Sequence, residues 1–371
     1  MTAAAITSIA RHAAIAASEV VATSQTRPRV RTAARLDAWT AGGGGEVQMA
    51  ATTRELHHLG IDARPWRPWD ANELQAGDVV HFFGSRPEFV ESAEALKSRD
   101  IRVVVSTIAW FDWRNTLREP TSLVRRSRDL ARYALRAALP RLPSWRRRLY
   151  HAADLLLPNS QAEAEQLIRL FQVSPAKVRV VPNGVDPSFA SGDAQLFRLR
   201  FGDCPFVLCP GRIEPRKNQL ALIRALKGTG LRLVLLGDAV SGHERYHADC
   251  RAAADDSVIF HGRVQHDDPL LASAYAACRC VALTSWYETP SLAALEAALT
   301  GTPLVLPAGG SAREYFGPLA HYVTPHNLPE IRSAVSAAAA EPRSSNLANL
   351  VNSQFTWRHV AEATQAAYES I

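Results

Sequence analysis

Residues 206–308 hold the side chains with the clearest capacity for chemistry. In FVLCPGRIEPRKNQLALIRAL a buried strand runs into a turn at Gly211 and then into a helix predicted from about Asn218, with Arg212 and Lys217 flanking the turn. Two cations on a strand-to-helix loop can hold a diphosphate, the guanidinium as a planar fork and the ammonium as a point charge. Surface charge with helix capping would use the same two residues. Further along, SWYETPSLAALEAALTGTPLV places Glu288 ahead of a helix predicted to take Thr289 as N-cap and Pro290 at its first position, where a missing N–H costs nothing. Glu296 follows about two turns later, which sets the two carboxylates roughly 10 Å apart along the axis. That is the span from a donor sugar to a nucleotide ribose. Each carboxylate can accept two hydroxyl protons of a vicinal diol, and a diphosphate between them would lie over the helix N-terminus. Taken singly, a glutamate in a first turn and another on a helix face are ordinary.

The elements that must position these residues follow from hydrophobic patterning. Short β-branched or leucine-rich runs recur at 30–36, 79–84, 101–108, 154–160, 178–184, 206–212, 231–237, 258–264, 280–285 and 302–308. Helical patterns such as EVQMAATTRELHHLG and QAEAEQLIRLFQV separate them, which predicts a parallel α/β organisation. At 371 residues and 47% hydrophobic composition the chain suits two domains rather than one core. The run PNGVDPSFASGD (182–193) reads as the linker between them. Ligands of open α/β sheets bind outside the carboxyl ends of the strands, so the cleft between the domains is where a substrate is expected.

The ordered conjunction of motifs decides between these readings. G-R-x-x-x-x-K from Gly211 to Lys217, S-x-x-E from Ser285 to Glu288, the Glu288–Glu296 pair and the A-L-T-G-T-P-L-V after it resemble the retaining GT-B glycosyltransferases grouped as family four. D-L-L-L-P-N-S, V-V-P-N-G-V-D and the closing F-T-W-R-H-V-A-E-A-T-Q-A-A-Y are similar to that family as well. The resemblance implies an α/β, GT-B fold: two Rossmann-like domains facing a cleft, with a C-terminal helix returning to the N-terminal domain. The expected division is a loose leader at 1–28, an acceptor domain at 29–185, a nucleotide-sugar donor domain at 186–354 and the returning helix at 355–371. By resemblance, Arg212 and Lys217, on the Gly211 turn, hold the donor diphosphate, Glu288 contacts the transferring sugar and Glu296 holds the ribose. Ser291 and Leu292, at the start of the same helix, join the nucleotide-sugar set, and Arg263 and Val264 line the base pocket. The activity implied is retaining transfer from a nucleotide-diphosphate sugar to a glycan or lipid-linked acceptor, in surface polysaccharide or glycoconjugate synthesis. Glu288, Arg212 and Lys217 would be its catalytic residues. A non-catalytic GT-B protein that only binds nucleotide sugar, or a related epimerase or phosphorylase, would use the same scaffold.

The N-terminal half carries fewer marks. Gly42 to Gly45, before a helix predicted near Glu46, resembles the family's first glycine-rich loop, so Gly43 and Gly44 are candidates for diphosphate-sugar contact; a flexible loop is the alternative. The glycines do not form G-x-G-x-x-G, so a nicotinamide site is not expected. The histidine that many family members carry after the third strand is absent, with Thr107, Ile108 and Ala109 in that region. Trp110, Asp112 and Trp113 follow, able to supply either acceptor stacking and a carboxylate or a buried aromatic cluster. Pro-Asn-Gly at 182–184 reads as structural. No D-x-D triplet occurs, so the donor phosphates are expected to be held without metal, and no cofactor is expected beyond the sugar nucleotide itself.

Composition sets the remaining expectations. Five cysteines are irregularly spaced, which predicts reduced thiols; Cys278 and Cys280 are predicted to face one side of a strand in the core. The N-terminal thirty residues lack the unbroken apolar run of a signal peptide or spanning helix, so a cytoplasmic protein is expected. The net charge of +6 conceals an asymmetry, because eleven arginines between Arg114 and Arg148 face only Glu119 and Asp129. That local surplus fits a solvated helical face, a phosphorylated acceptor or an anionic membrane bearing a lipid-linked acceptor at the inner face. Nucleic acid is not an expected partner, since no stacking platform or finger accompanies the charge.

Overall fold

The computed structural model describes residues 28–35, 43–70, 73–118 and 121–371; the predicted leader at 1–28 lies, but for Pro28, outside them. The first half runs β1 (Val30–Ala33), α1 (Gly44–His58), β2 (Ala63–Pro65), β3 (Val79–Phe83), α2 (Phe89–Lys97), β4 (Arg102–Ser106), α3 (Trp113–Arg118), α4 (Leu123–Ala138), α5 (Trp145–Ala152), β5 (Leu155–Leu157) and α6 (Gln161–Phe171). The second half continues with α7 (Ala194–Phe201), β6 (Phe206–Pro210), α8 (Gln219–Leu226), β7 (Arg232–Leu236), α9 (Glu244–Ala253), β8 (Val258–Phe260), α10 (Pro269–Ala277), β9 (Cys280–Ala282), α11 (Leu292–Leu299), β10 (Leu304–Pro307), α12 (Ala312–Phe316), β11 (His321–Val323), α13 (Leu328–Ala340), α14 (Ser345–Gln354) and α15 (Trp357–Tyr368).

Two parallel sheets result, ordered β2-β1-β3-β4-β5 and β11-β10-β9-β6-β7-β8. Strands such as Val79–Phe83 and Phe206–Pro210 are buried at every residue, because helices cover both sheet faces. The second sheet reverses its winding between β6 and β9. Such a reversal leaves a crevice outside the carboxyl ends of the two strands, where their following loops diverge. Those loops carry Gly211–Lys217 and Ser285–Glu288. The first sheet reverses between β1 and β3.

The chain crosses between the halves twice at one place. The Val185 N–H donates to the Phe355 carbonyl at 2.8 Å and its own carbonyl accepts from Trp357 at 3.2 Å, so the linker and the approach to α15 form a short ladder. Beyond it α15 packs on the first half. Trp357, Val360 and Tyr368 join a core with Val30, Leu56, Val79 and Leu157, and Tyr368 Oη lies 2.7 Å from His81 Nδ1. Burial pushes the His81 imidazole down to about 3, so it stays neutral in this seam. A second seam is electrostatic: both oxygens of Glu314 accept from the N–H groups of Gln161 and Ala162 at 2.7 and 2.9 Å, seating a carboxylate on the N-terminus of α6.

Ser160 caps α6, accepting from Glu163 N. The cysteine pair departs from expectation. Both are buried, but Cys278 ends α10 rather than lying in the strand, and it faces the core containing Leu208, whereas Cys280 faces the opposite core containing Val207. Among the described residues no helix is long and apolar enough to cross a membrane.

Candidate active site

The crevice outside β6 and β9 gathers the charged residues. Lys217 ends a short 3-10 turn, Pro215–Lys217, and Asn218 then adopts the left-handed conformation (φ 57°) from which α8 begins, as the sequence predicts. Asn218 earns that conformation through its side chain, which donates to the carbonyls of Thr284 at 3.0 Å and Pro325 at 2.8 Å. Lys217 Nζ thereby lies 2.6 Å from Glu288 Oε1. Ser285 Oγ donates to the same oxygen, and Arg216 stands 3.9 Å from the other.

Glu288 is 5% exposed. Burial alone would raise its pKa, yet Lys217, Arg216 and the Ser285 hydroxyl outweigh it and hold the carboxyl below the ordinary carboxylate range. The site therefore keeps an ionised carboxylate at neutral pH. Its backbone is fixed as firmly, because Glu288 pairs as a bridge with Gly310 and its carbonyl accepts from Ser311 at 3.0 Å. Gly310 (φ 100°) cannot be replaced without strain, and a Cβ there would fall 2.0 Å from the Glu288 carbonyl oxygen.

That bridge corrects the predicted helix start. Helix α11 begins at Leu292 with Ser291 as N-cap, not at Pro290 with Thr289. The Pro290 carbonyl is taken by Asn183 Nδ2 at 2.9 Å, so residues 288–290 are held outside the helix, which starts two residues later. Glu296 is then the fifth helical residue. It is 4% exposed, and both oxygens have protein donors, His266 Nε2 at 2.9 Å and Tyr275 Oη at 2.7 Å.

The remaining predicted residues divide. Helix α1 starts at Gly44 with Gly43 as N-cap, two residues earlier than predicted, because Glu46 reaches back to the Gly43 N–H at 2.7 Å. Gly44 lies against Leu292, so the glycine loop and the start of α11 face each other across the domains; Gly42 is outside the described residues. Arg212 is exposed, with its guanidinium 3.9 Å from Glu214. Arg263 is also exposed, its N–H held by Asp238 Oδ1 at 3.0 Å, while Val264 is half-buried against the second-half core. Ile108, one of the three residues in the region where the family's usual histidine is absent, has φ 43° and approaches Gly45. Asp112 caps α3 by accepting from Arg114 N at 2.9 Å, and Asn115 on that helix donates to the Trp286 carbonyl of the other half. Sequence reasoning missed Arg216, His266 and Tyr275. Arg216 adjoins Lys217 in the same turn, and its charge was a signal; His266 and Tyr275 meet Glu296 from 30 and 21 residues away, and nothing local marks them.

Residues 42–189 match the model of glycosyltransferase family 4, and residues 204–340 match that of glycosyl transferases group 1. A D-inositol 3-phosphate glycosyltransferase from Xylanimonas cellulosilytica is 32% identical over 296 residues, covering 72% of this chain and 68% of that protein. The chain belongs to glycosyltransferase family 4. A protein of the same name from Stackebrandtia nassauensis is 33% identical over 241 residues, covering 58% of the chain; the match spans only 54% of that relative. Several such curated relatives are matched over about half of their length. Among solved structures, sucrose-phosphate synthase from Thermosynechococcus elongatus aligns with a TM-score of 0.73 at 18% identity, covering 92% of this chain and 98% of that one. Anabaena HepE in complex with UDP and glucose aligns with 0.69 at 17% identity, covering 93% and 100%. The likeness to these two supports the fold described above, two parallel-sheet Rossmann-like domains of GT-B type.

Proposed function

We propose that this family 4 member is a retaining glycosyltransferase that moves a sugar from a nucleotide-diphosphate sugar to an acceptor hydroxyl without a metal ion. The observation that carries it is the buried, ionised Glu288 ion-paired to Lys217 at 2.6 Å, beside the exposed Arg212, at the reversal point of the second sheet. An ammonium has three donors, so Lys217 can keep Glu288 and still reach a phosphate oxygen. Arg212 and Lys217, with the Gly211 turn, stabilise the departing diphosphate, which removes the need for a divalent cation. Glu288 accepts from hydroxyls of the transferring sugar, Glu296 from the ribose, and Ser291 and Leu292 pack the nucleotide at the start of α11. Gly43 and Gly44 close on the diphosphate-sugar from the first half, and Arg263 and Val264 border the base. The acceptor hydroxyl attacks the face from which the nucleotide leaves. The donor domain is assigned to 186–354 and the acceptor domain to 29–185.

The acceptor side is the first half, where a glycan or lipid-linked acceptor of surface polysaccharide or glycoconjugate synthesis would bind. Helix α4 has no buried residue; it carries Arg125, Arg126, Arg128, Arg132 and Arg136, and its Leu123 and Val124 are 75% and 81% exposed. A surface that pairs exposed apolar side chains with excess arginine favours peripheral contact with an anionic membrane. A second reading has its own support. Arg146 is packed against Trp145 at 4.2 Å and Phe111 at 5.5 Å with its Nε–H buried and without a partner among the described residues, which suits a phosphorylated soluble acceptor, and the relatives are named for an inositol phosphate. Release of nucleoside diphosphate from a sugar nucleotide is the test. Release that requires acceptor and survives chelator is expected; release without any acceptor, or complete loss restored by Mg²⁺, contradicts the proposal.

A further inference from the structure

Glu296 is already engaged before any nucleotide arrives, and its two partners differ in kind. Tyr275 is 1% exposed and belongs to the permanent frame. The His266 side chain is 41% exposed and stands on the solvent side of the carboxylate, on the loop between β8 and α10. Every element around this imidazole brings charge. Helix α11 brings Glu296, the linker brings Asp186, and its own loop brings Asp267, while Arg54 of α1 pairs with Asp186 at 3.5 Å. Asp268, next along, is spent on capping α10 through the Leu270 N–H at 2.9 Å. The Phe189 ring lies 5.5 Å from the imidazole. The hydrogen bond to Glu296 raises the His266 pKa against burial, with Glu296, Asp186 and Asp267 adding to the rise. A cavity of about 630 Å³ opens beside the pair, lined by Arg54, Asp186, Phe189, His266 and Trp357.

We propose that His266 is a positioning residue for the nucleotide's ribose: protonated, it holds Glu296 in the empty cleft, and it yields that carboxylate oxygen and its proton when a ribose diol arrives. The proposal rests on the reading of Glu296 as the ribose ligand. Tyr275 keeps Oε2, so an incoming hydroxyl and the imidazolium compete for Oε1. The displaced imidazole loses its main stabilising partner, its pKa falls toward the ordinary ~6.5, and the proton passes to solvent. Binding at neutral pH therefore releases protons, and affinity rises with pH from about 6.5 up to the raised His266 value, where the gain levels off.

The test is calorimetry on the full chain near pH 7, in two buffers of different ionisation enthalpy, with whichever of UDP-glucose, ADP-glucose and GDP-mannose binds. Sugar nucleotides are chosen because the terminal phosphate of a free nucleoside diphosphate itself titrates near pH 6. Wild type should release a measurable fraction of a proton, and its affinity should tighten by several-fold from pH 6 to 8. His266→Gln keeps an N–H donor for Glu296 but no titrating group, and should bind with no proton release and flat pH dependence. Equal release in both proteins, or none in wild type, overturns the proposal. Glu296→Ala separates the two levels: if it leaves affinity unchanged, or if none of the three sugar nucleotides binds, the ribose assignment itself falls. If Glu296→Ala weakens binding while wild type releases no proton, the assignment stands and the role of His266 does not.

Discussion

The two halves of the molecule handle charge in opposite ways. Outside β6 and β9 the buried carboxylates have protein partners, Lys217 on Glu288 and His266 with Tyr275 on Glu296, and their backbones are tied by Gly310 and Asn183. Along α4 of the first half the arginines outnumber the one carboxylate, and Arg125, Arg128 and Arg132 are exposed, each 3.4–3.8 Å from Asp129. A buried pair fixes one geometry, because separating it leaves an uncompensated charge. An exposed surplus fixes none and acts instead as a field that a negative partner can enter. The crevice proposed to take the donor is thus built to discriminate, and the arginine-rich side to attract.

Breaking the donor side should cost most. Lys217→Ala is expected to lower transfer by at least roughly 100-fold, since it removes charge-assisted stabilisation of the leaving diphosphate and strands Glu288 without its nearest counter-ion. Arg212→Ala should act in the same direction. Steady-state kinetics with a coupled assay for released nucleotide checks both, and near-normal turnover in either would remove it from the diphosphate clamp.

The seam that joins the two sides comes next. A Cβ on Gly184 would lie 2.7 Å from the Trp357 ring and 2.8 Å from Val360, so Gly184→Ala must displace α15 or the linker. The expected loss is about 1–3 kcal/mol, the usual cost of forcing a methyl into a packed site. Denaturant unfolding measures it directly; unchanged stability would mean that α15 is not firmly seated on the first half.

How much of this was legible from sequence differs along the chain for physical reasons. The Gly211 turn, Arg212, Lys217 and the capping of α6 by Ser160 depend on neighbours within a few residues, and local pattern reveals such things. The start of α11 does not. Thr289 and Pro290 make a good helix opening by local rules, but the bridge from Glu288 to Gly310 and the bond from Asn183 to Pro290 override them from 22 and 107 residues away. Cys278 and Cys280 show the same limit, since a period-two pattern assumes a strand that here begins only at Cys280. His266 sits in an exposed, polar loop whose meaning comes entirely from α11.

The smallest effect is expected on the attracting side. Replacing Arg125, Arg128 and Arg132 together with Gln should leave turnover of a soluble acceptor within a few-fold of wild type. It should weaken binding to vesicles containing anionic lipid, by on the order of 1 kcal/mol for each arginine engaged. Co-sedimentation at low and high salt reads this. Binding that needs anionic lipid and fades with salt fits the membrane reading, and absence of binding at both salt concentrations leaves the phosphorylated soluble acceptor.

The division of labour between the two glutamates is the centre of the account, and calorimetry with free nucleoside diphosphate tests it most directly. Glu296→Ala should weaken binding, because it removes the acceptor for the ribose diol. Glu288→Ala should spare or tighten it, because Lys217 is freed for the phosphates, while the intact sugar nucleotide is used poorly. Equal losses of nucleoside diphosphate affinity in the two variants would contradict the account.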